Sequence, residues 1–167
     1  FYHTQVFFNT DTLQYKYLSG YTLSKKQFAE WLRFTSETGK IRVVNIRLEH
    51  MYGPKDDRSK FVFWLLEQML SHAAEIRLTN GDQKRDFIYI TDIVNAYLLL
   101  LRQTEKIQEF SEYDVGTSNQ ISIKEFVLKL KETVEKVSKK QVTSKLLFGY
   151  LPYRKGEMMD VEEDVTP

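Results

Sequence analysis

Residues 41–48 read IRVVNIRL, a mostly apolar, β-branched run. That pattern suits a central strand covered on both faces, as strands of a parallel sheet are. What flanks the run decides the fold. Upstream, Ser19 and Gly20 precede a helical stretch over about 21–37, where Phe28, Trp31, Leu32 and Phe34 recur at helical spacing and Gly39 is the stop. Downstream, Pro54 and the charged KDDRSK run form a loop, followed by a second helix over about 60–71 with Phe61, Leu65, Leu66 and Met69 on its apolar side. Further strands are expected at 6–8, 75–78, 86–90, 113–116 and 146–148, with Asn80-Gly81-Asp82 as a turn between two of them. Thr91 and Asp92 are expected to cap a helix through Val94, Ala96, Tyr97 and the leucines at 98–101. Ser122 opens another, reaching about Val137, with Glu125 completing a capping box. Strands that alternate with helices predict an α/β fold with a parallel sheet.

Composition narrows the function. The chain has 167 residues, with 24 Lys+Arg against 23 Asp+Glu and a formal charge of +1. Such a balance lacks the basic excess of a nucleic-acid binder. Hydrophobic residues at 42% and aromatics at 14% suffice for a core, which excludes wholesale disorder. With no cysteine there is no disulfide framework, thiolate metal site or Cys nucleophile. No apolar run approaches the ~18 residues that cross a bilayer, and no signal peptide opens the chain. The expectation is a soluble, cytosolic α/β protein with no nucleic-acid or membrane partner. The sequence starts at Phe1 inside an apolar run and stops in an acidic stretch at 164–167, so both ends read as cuts in a longer chain.

Four groups of residues could carry chemistry. Tyr21 and Lys25 stand at i and i+4, hence on one helix face a turn apart. An ammonium beside a phenol favours the phenolate, which suits a general acid/base, although a solvated helix start has the same pattern. Asn9-Thr10-Asp11-Thr12 follows a strand end, where open α/β sheets bind ligands. A hydroxyl there could stabilise charge developing on a carbonyl oxygen, or the segment is an ordinary cap or Asx-turn. His50, in RLEHMYGP after the 41–48 strand, is either a ligand contact or a loop histidine; the spacing of the three histidines speaks against a metal site. Arg85, just before the 86–90 strand, and Arg154, in PYRKGE, would clamp a diphosphate if they converge, and are surface cations otherwise.

In this order, YTLSK, RLEHMYGP, GDQKRDFIYITDIVNA, YDVGTSNQISIKEF and PYRKGE together resemble the extended short-chain dehydrogenase/reductases, the NAD-dependent epimerase/dehydratase family, from Val6 to Asp164. Within that family, NTDT and RLEHMYGP are most similar to bacterial 4-ketoreductases that make CDP-3,6-dideoxyhexoses for O-antigen, mainly through Glu49 and His50. The resemblance implies the C-terminal portion of a Rossmann-like parallel sheet with a small α/β substrate-binding region. Residues 1–54 would be the closing part of the dinucleotide-binding domain, and 55–167 the rest of the sheet with the sugar-nucleotide region. It implies NAD or NADP as cofactor and a nucleotide-diphosphate sugar as substrate. Tyr21 would be the acid/base, Lys25 the residue that holds the nicotinamide ribose, and Thr10 (or Thr12) the hydroxyl near the reacting carbon. His50 would contact cofactor or substrate, Arg85 and Arg154 would grip the diphosphate, and Asp92 and Glu157 would support them. Asp11 beside Thr10 leaves open a 4-epimerase or 4,6-dehydratase, and a non-catalytic sugar-nucleotide-binding relative is the alternative from another class.

Some of the family pattern is missing. None of the 7 glycines forms a dinucleotide-binding Gly-rich loop, and with that loop goes the helix N-terminus that holds a pyrophosphate. The interval from Thr10 to Tyr21 is also shorter than usual. The 167 residues alone are therefore expected to be insoluble or molten, inactive, and without affinity for a dinucleotide. The full-length protein would be a homodimer if the Tyr/Lys helix pairs with its copy. Trp31 and Phe34 then serve that interface or, alternatively, the intramolecular core.

Overall fold

The computed structural model describes residues 8–9, 14–15, 20–39, 41–154 and 157–160. In chain order the elements are β1 (Phe8–Asn9), β2 (Gln14–Tyr15), α1 (Gly20–Glu37), β3 (Val43–Leu48), β4 (His50–Tyr52), α2 (Phe61–Leu70), β5 (Glu75–Arg77), β6 (Lys84–Tyr89), α3 (Ile90–Arg102), β7 (Phe110–Val115), β8 (Gln120–Ser122), α4 (Ile123–Ser138) and β9 (Lys145–Leu147), with a 3₁₀ turn at Thr104–Lys106. They fall into two compact units, one of Phe1–Glu49 with Ile93–Val115 and the other of His50–Asp92 with Gly116–Pro167.

In the first unit β3 runs parallel to β7, Val43 opposite Phe110 through Leu48 opposite Val115. The apolar 41–48 run thus forms the parallel strand its composition predicts, beginning two residues later. Polar side chains lock the register. Arg47 and Asp114 face each other across the pair, with Nε to Oδ1 at 2.6 Å and Nη2 to Oδ2 at 3.0 Å, and the Asp114 carboxylate is almost fully buried. One oxygen of Glu112 on β7 accepts from Arg33 of α1 at 2.5 Å and the other from Asn45 of β3 at 2.8 Å. Helix α1 therefore meets the strands through Arg33 and the fully buried Ser36. Its covered positions recur at Ala29, Leu32 and Ser36. Phe28, Trp31 and Phe34 stand 62%, 66% and 60% exposed, so the helical spacing is right but these rings are not the unit's core. At the chain start, β1 and β2 pair antiparallel. Most of the expected strand at 6–8, and Thr10, Asp11 and Thr12, lie outside the described residues.

In the second unit β6 is the shared strand of a mixed sheet. It is parallel to β4, with His50 opposite Phe87, and antiparallel to β8, with Arg85 opposite Ile121. A second pair, β5 with β9, is parallel. The core lies under these strands, where Leu65 and Met69 of α2 meet Ile76, Leu78, Val142 and the α4 residues Val127 and Val134. Ser122 caps α4 as its sequence predicts, the hydroxyl accepting from the Glu125 N–H at 3.1 Å, and Lys139 ends the helix with φ 56°. The turn between β5 and β6 needs Gly81. Its φ is +83°, and a Cβ there would stand 2.9 Å from the backbone N of Lys124, whose N–H donates to the Gly81 carbonyl at 3.0 Å.

Three expectations change. The sheets are not parallel throughout, since β6 and β8 pair antiparallel. Helix α3 begins at Ile90, which puts Thr91 and Asp92 inside its first turn, where Asp92 meets the positive end of the helix dipole, rather than at the cap. Arg85 lies within β6 and is 8% exposed, rather than in a loop before the strand. No helix among the described residues is long and apolar enough to cross a membrane.

Candidate functional site

Helix α1 opens with the Tyr/Lys pair. Four residues carry the chain slightly more than one turn, so both side chains leave the helix on the same side. The Lys25 ammonium stands 5.8 Å from the centre of the Tyr21 ring. Tyr21 is 57% exposed and Lys25 is also solvent-facing, so both polar groups are open to a ligand. The Ser24 hydroxyl between them is occupied, donating to the Tyr21 carbonyl at 2.8 Å. A phenol can donate or accept a hydrogen bond, and an ammonium can donate to hydroxyls of a bound ligand. A shallow depression of about 470 Å³ lined by Ser36, Glu37, Gln108, Glu109 and Phe110 lies at the opposite end of α1. Fifteen helical residues, roughly 22 Å, separate Ser36 from Tyr21, so this hollow does not serve the Tyr/Lys pair.

Both arginines belong to the second unit. Arg85 projects from β6 and its Nη2 bonds Glu157 Oε1 at 2.7 Å, while its Nη1 donates to the Lys84 carbonyl at 2.6 Å. Burying a guanidinium requires such partners, since an unpaired charge would be driven back to water. The Glu157 N–H in turn donates to the Arg154 carbonyl at 3.0 Å. One residue, Glu157, thus brings together the two segments that carry the arginines, by its side chain on one side and its backbone on the other. Arg154 is exposed, and among the described residues its guanidinium makes no hydrogen bond or ion pair. Its neighbour Tyr153 donates to Asp82 Oδ2 at 2.9 Å and accepts from the Asp82 N–H at 3.1 Å. Asn80 and then Tyr153, both donating to the Asp82 carboxylate, hold it below the usual carboxylate range.

His50 is exposed on β4 with its ring 6.0 Å from that of Phe87, edge to face. Phe87 itself stacks on Phe126 of α4 at 3.8 Å, so the histidine stands at the rim of an aromatic cluster. Asp92 is exposed. Sequence reasoning missed Asp86, which is fully buried and accepts from Thr117 N and Thr117 Oγ1, both at 2.5 Å. The available signal was strand alternation: beside an inward Arg85, Asp86 must face the other side of β6 and needs its own donors. Among the described residues no three His, Asp or Glu side chains gather in a way that could hold a metal ion.

The chain is α/β, with parallel strand pairs in both units. Residues 3–116 match the NAD dependent epimerase/dehydratase family, and the chain belongs to that family. It is 33% identical over 164 residues to the CDP-abequose synthase of Salmonella typhimurium, a match covering 95% of this chain and 54% of that protein. Among solved structures it resembles the UDP-glucuronic acid 4-epimerase of Bacillus cereus, determined in complex with UDP-glucuronic acid and NAD. That match has a TM-score of 0.69 and 24% identity, covering 95% of this chain and 48% of that one. The UDP-glucose 4-epimerase of Thermotoga maritima, with UDP-glucose, gives a TM-score of 0.73 and 22% identity, covering 94% and 48%. These likenesses show the fold to be Rossmann-like. The chain spans about half the length of the relatives it matches.

Proposed function

We propose that this chain carries the catalytic Tyr/Lys pair of an NAD(P)-dependent enzyme acting at C4 of a nucleotide-diphosphate sugar, a 4-ketoreductase that forms a CDP-linked dideoxyhexose for surface polysaccharide. The observation that carries the reading is the placing of Tyr21 and Lys25 on one face of α1, the ammonium 5.8 Å from the ring centre, in a chain of this family. Similarity to a CDP-abequose synthase supports the choice of reductase and of a CDP sugar. The donor set suits the nicotinamide end of the cofactor, a tyrosine and a lysine on one helix face, both residues exposed and the ammonium over the ring. The bound dinucleotide supplies the hydride. Tyr21 passes its proton to the sugar oxygen as that oxygen gains negative charge. Lys25 holds the nicotinamide ribose and stabilises the phenolate left behind. Thr10, or Thr12, bonds the same sugar oxygen, and His50 contacts substrate or cofactor from the rim of its aromatic cluster. Arg154 and Arg85 take the diphosphate, Glu157 keeping Arg85 in place.

The test is Tyr21→Phe in the whole enzyme, followed by NADPH oxidation with a CDP-4-keto sugar. Loss of a general acid predicts a fall in kcat of about 10²–10⁴-fold. An unchanged kcat would remove the catalytic assignment. Asp11, next to Thr10 in the sequence, leaves open a second reading, a 4-epimerase or 4,6-dehydratase, because a carboxylate can move a second proton. The two separate on one measurement: a reductase consumes one NADPH per sugar turned over, whereas an epimerase or dehydratase consumes none.

A further inference from the structure

The loop after β9 contains an arrangement that the reaction above does not use. The Tyr153 hydroxyl makes two hydrogen bonds to a single residue, donating to Asp82 Oδ2 at 2.9 Å and accepting from Asp82 N at 3.1 Å. Asp82 belongs to a stiff turn. Gly81 is pressed against Lys124 with φ +83°, and the Asn80 side chain donates to the same carboxylate oxygen at 2.5 Å. Three residues beyond Arg154 the chain is held again, by the Glu157 N–H on the Arg154 carbonyl at 3.0 Å and by the Glu157 carboxylate on Arg85. Arg154 is therefore suspended between two anchors while its own guanidinium stays exposed. A long cation on an untethered loop must be ordered when ligand arrives, which weakens binding; a tethered one is ordered during folding.

We propose that Tyr153 and Asp82 form a latch that positions Arg154 for the diphosphate of the nucleotide sugar, with Tyr153 a positioning residue rather than a ligand. The latch rests on the reading of Arg154 as a diphosphate contact. The experiment is calorimetric titration of the whole enzyme with CDP and with cytidine, which has the base and ribose but no phosphate. Tyr153→Phe removes both hydrogen bonds and keeps the ring. It is expected to weaken CDP about fivefold, or ~1 kcal/mol at 1.4 kcal/mol per decade, and to leave cytidine within twofold. In an Arg154→Ala background the same substitution is expected to cost nothing further, since the two act in one chain. Asp82→Asn keeps an acceptor for the tyrosine hydroxyl and should give a smaller loss; it carries the comparison should Tyr153→Phe not fold. Equal losses for CDP and cytidine, no loss for CDP, or a full additional loss without Arg154 would each overturn the latch. If Arg154→Ala itself leaves CDP affinity unchanged, the diphosphate reading of Arg154 falls first and the latch with it.

Discussion

Truncating Glu157 to alanine strands a buried cation, and the structure sets the size of the effect. The Arg85 side chain is 9% exposed and that of Glu157 22%, with Nη2 and Oε1 2.7 Å apart. Charge centres about 4 Å apart at an effective dielectric of ~20 attract by roughly 4 kcal/mol, much of it offset by the desolvation of both ions. Breaking a fully buried pair by removing one member costs about 3–5 kcal/mol. Water reaches part of the Glu157 carboxylate, so ~2 kcal/mol is the expected loss. Glu157→Gln keeps an acceptor at the same place and should lose about half as much. Trp64 provides the assay, because it packs against the core of the same unit. In a Trp31→Phe background it is the remaining tryptophan of these 167 residues, and in the whole enzyme the signal lost in a matched Trp64→Phe control isolates its fluorescence, which through a urea titration reports that unit. Arg85→Met combined with Glu157→Ala should recover much of the loss, since no charge is then left without a partner. A midpoint for Glu157→Ala within ~0.5 kcal/mol of the parent, or a double variant no better than the single, would refute the argument.

Two further outcomes follow from the same unit. Gly81→Ala places a Cβ 2.9 Å from backbone N of Lys124 at a residue with φ +83°. Left-handed backbone alone costs a non-glycine residue ~1 kcal/mol, and with the clash the loss should reach ~2 kcal/mol, seen as a lower urea midpoint; an unchanged midpoint would mean the turn is free to move. The carboxyls of Asp82, held low first by Asn80, and of Asp57, held low first by Ser59, bind protons more weakly in the folded chain than in the unfolded one. Their stabilisation is fully present above the ordinary aspartate value of about 3.9 and is lost as pH falls through their lower native values. The double variant Asp57→Asn, Asp82→Asn should therefore show a flatter decline of stability below pH ~4, and an identical decline would exclude these two as its source.

The readings that survived rest on signals local to the sequence. The β-branched density of 41–48 gave a parallel strand because a buried strand is recognised by its own side chains, and Ser122 with Glu125 marked a helix start because cap and partner are three residues apart. Tyr21 and Lys25 share a face for the same reason. What failed depended on distant partners. A charged Arg85 reads as loop, yet it sits inside β6 because Glu157 supplies the counter-charge 72 residues away. Strands β4 and β8 have three residues each, too short for any periodicity. Phe28, Trp31 and Phe34 lie at helical spacing, but which side of α1 is covered is decided by Arg33 meeting Glu112, which no local pattern contains. His50 stands out in the sequence as a candidate contact, but its aromatic neighbours do not, since Phe87 reaches it through strand register and Phe126 through helix packing.

Adjacent residues of β6 serve opposite sides of the sheet, Arg85 bonding the segment at Glu157 and Asp86 the turn at Thr117. Inserting or deleting one residue between Gly81 and Arg85 would trade the two, presenting an acid to an acid and a guanidinium to a pair of donors. Length here is thus constrained more tightly than chemistry. Over evolutionary time, this stretch should refuse insertions and deletions of a single residue, which swap the two faces of β6.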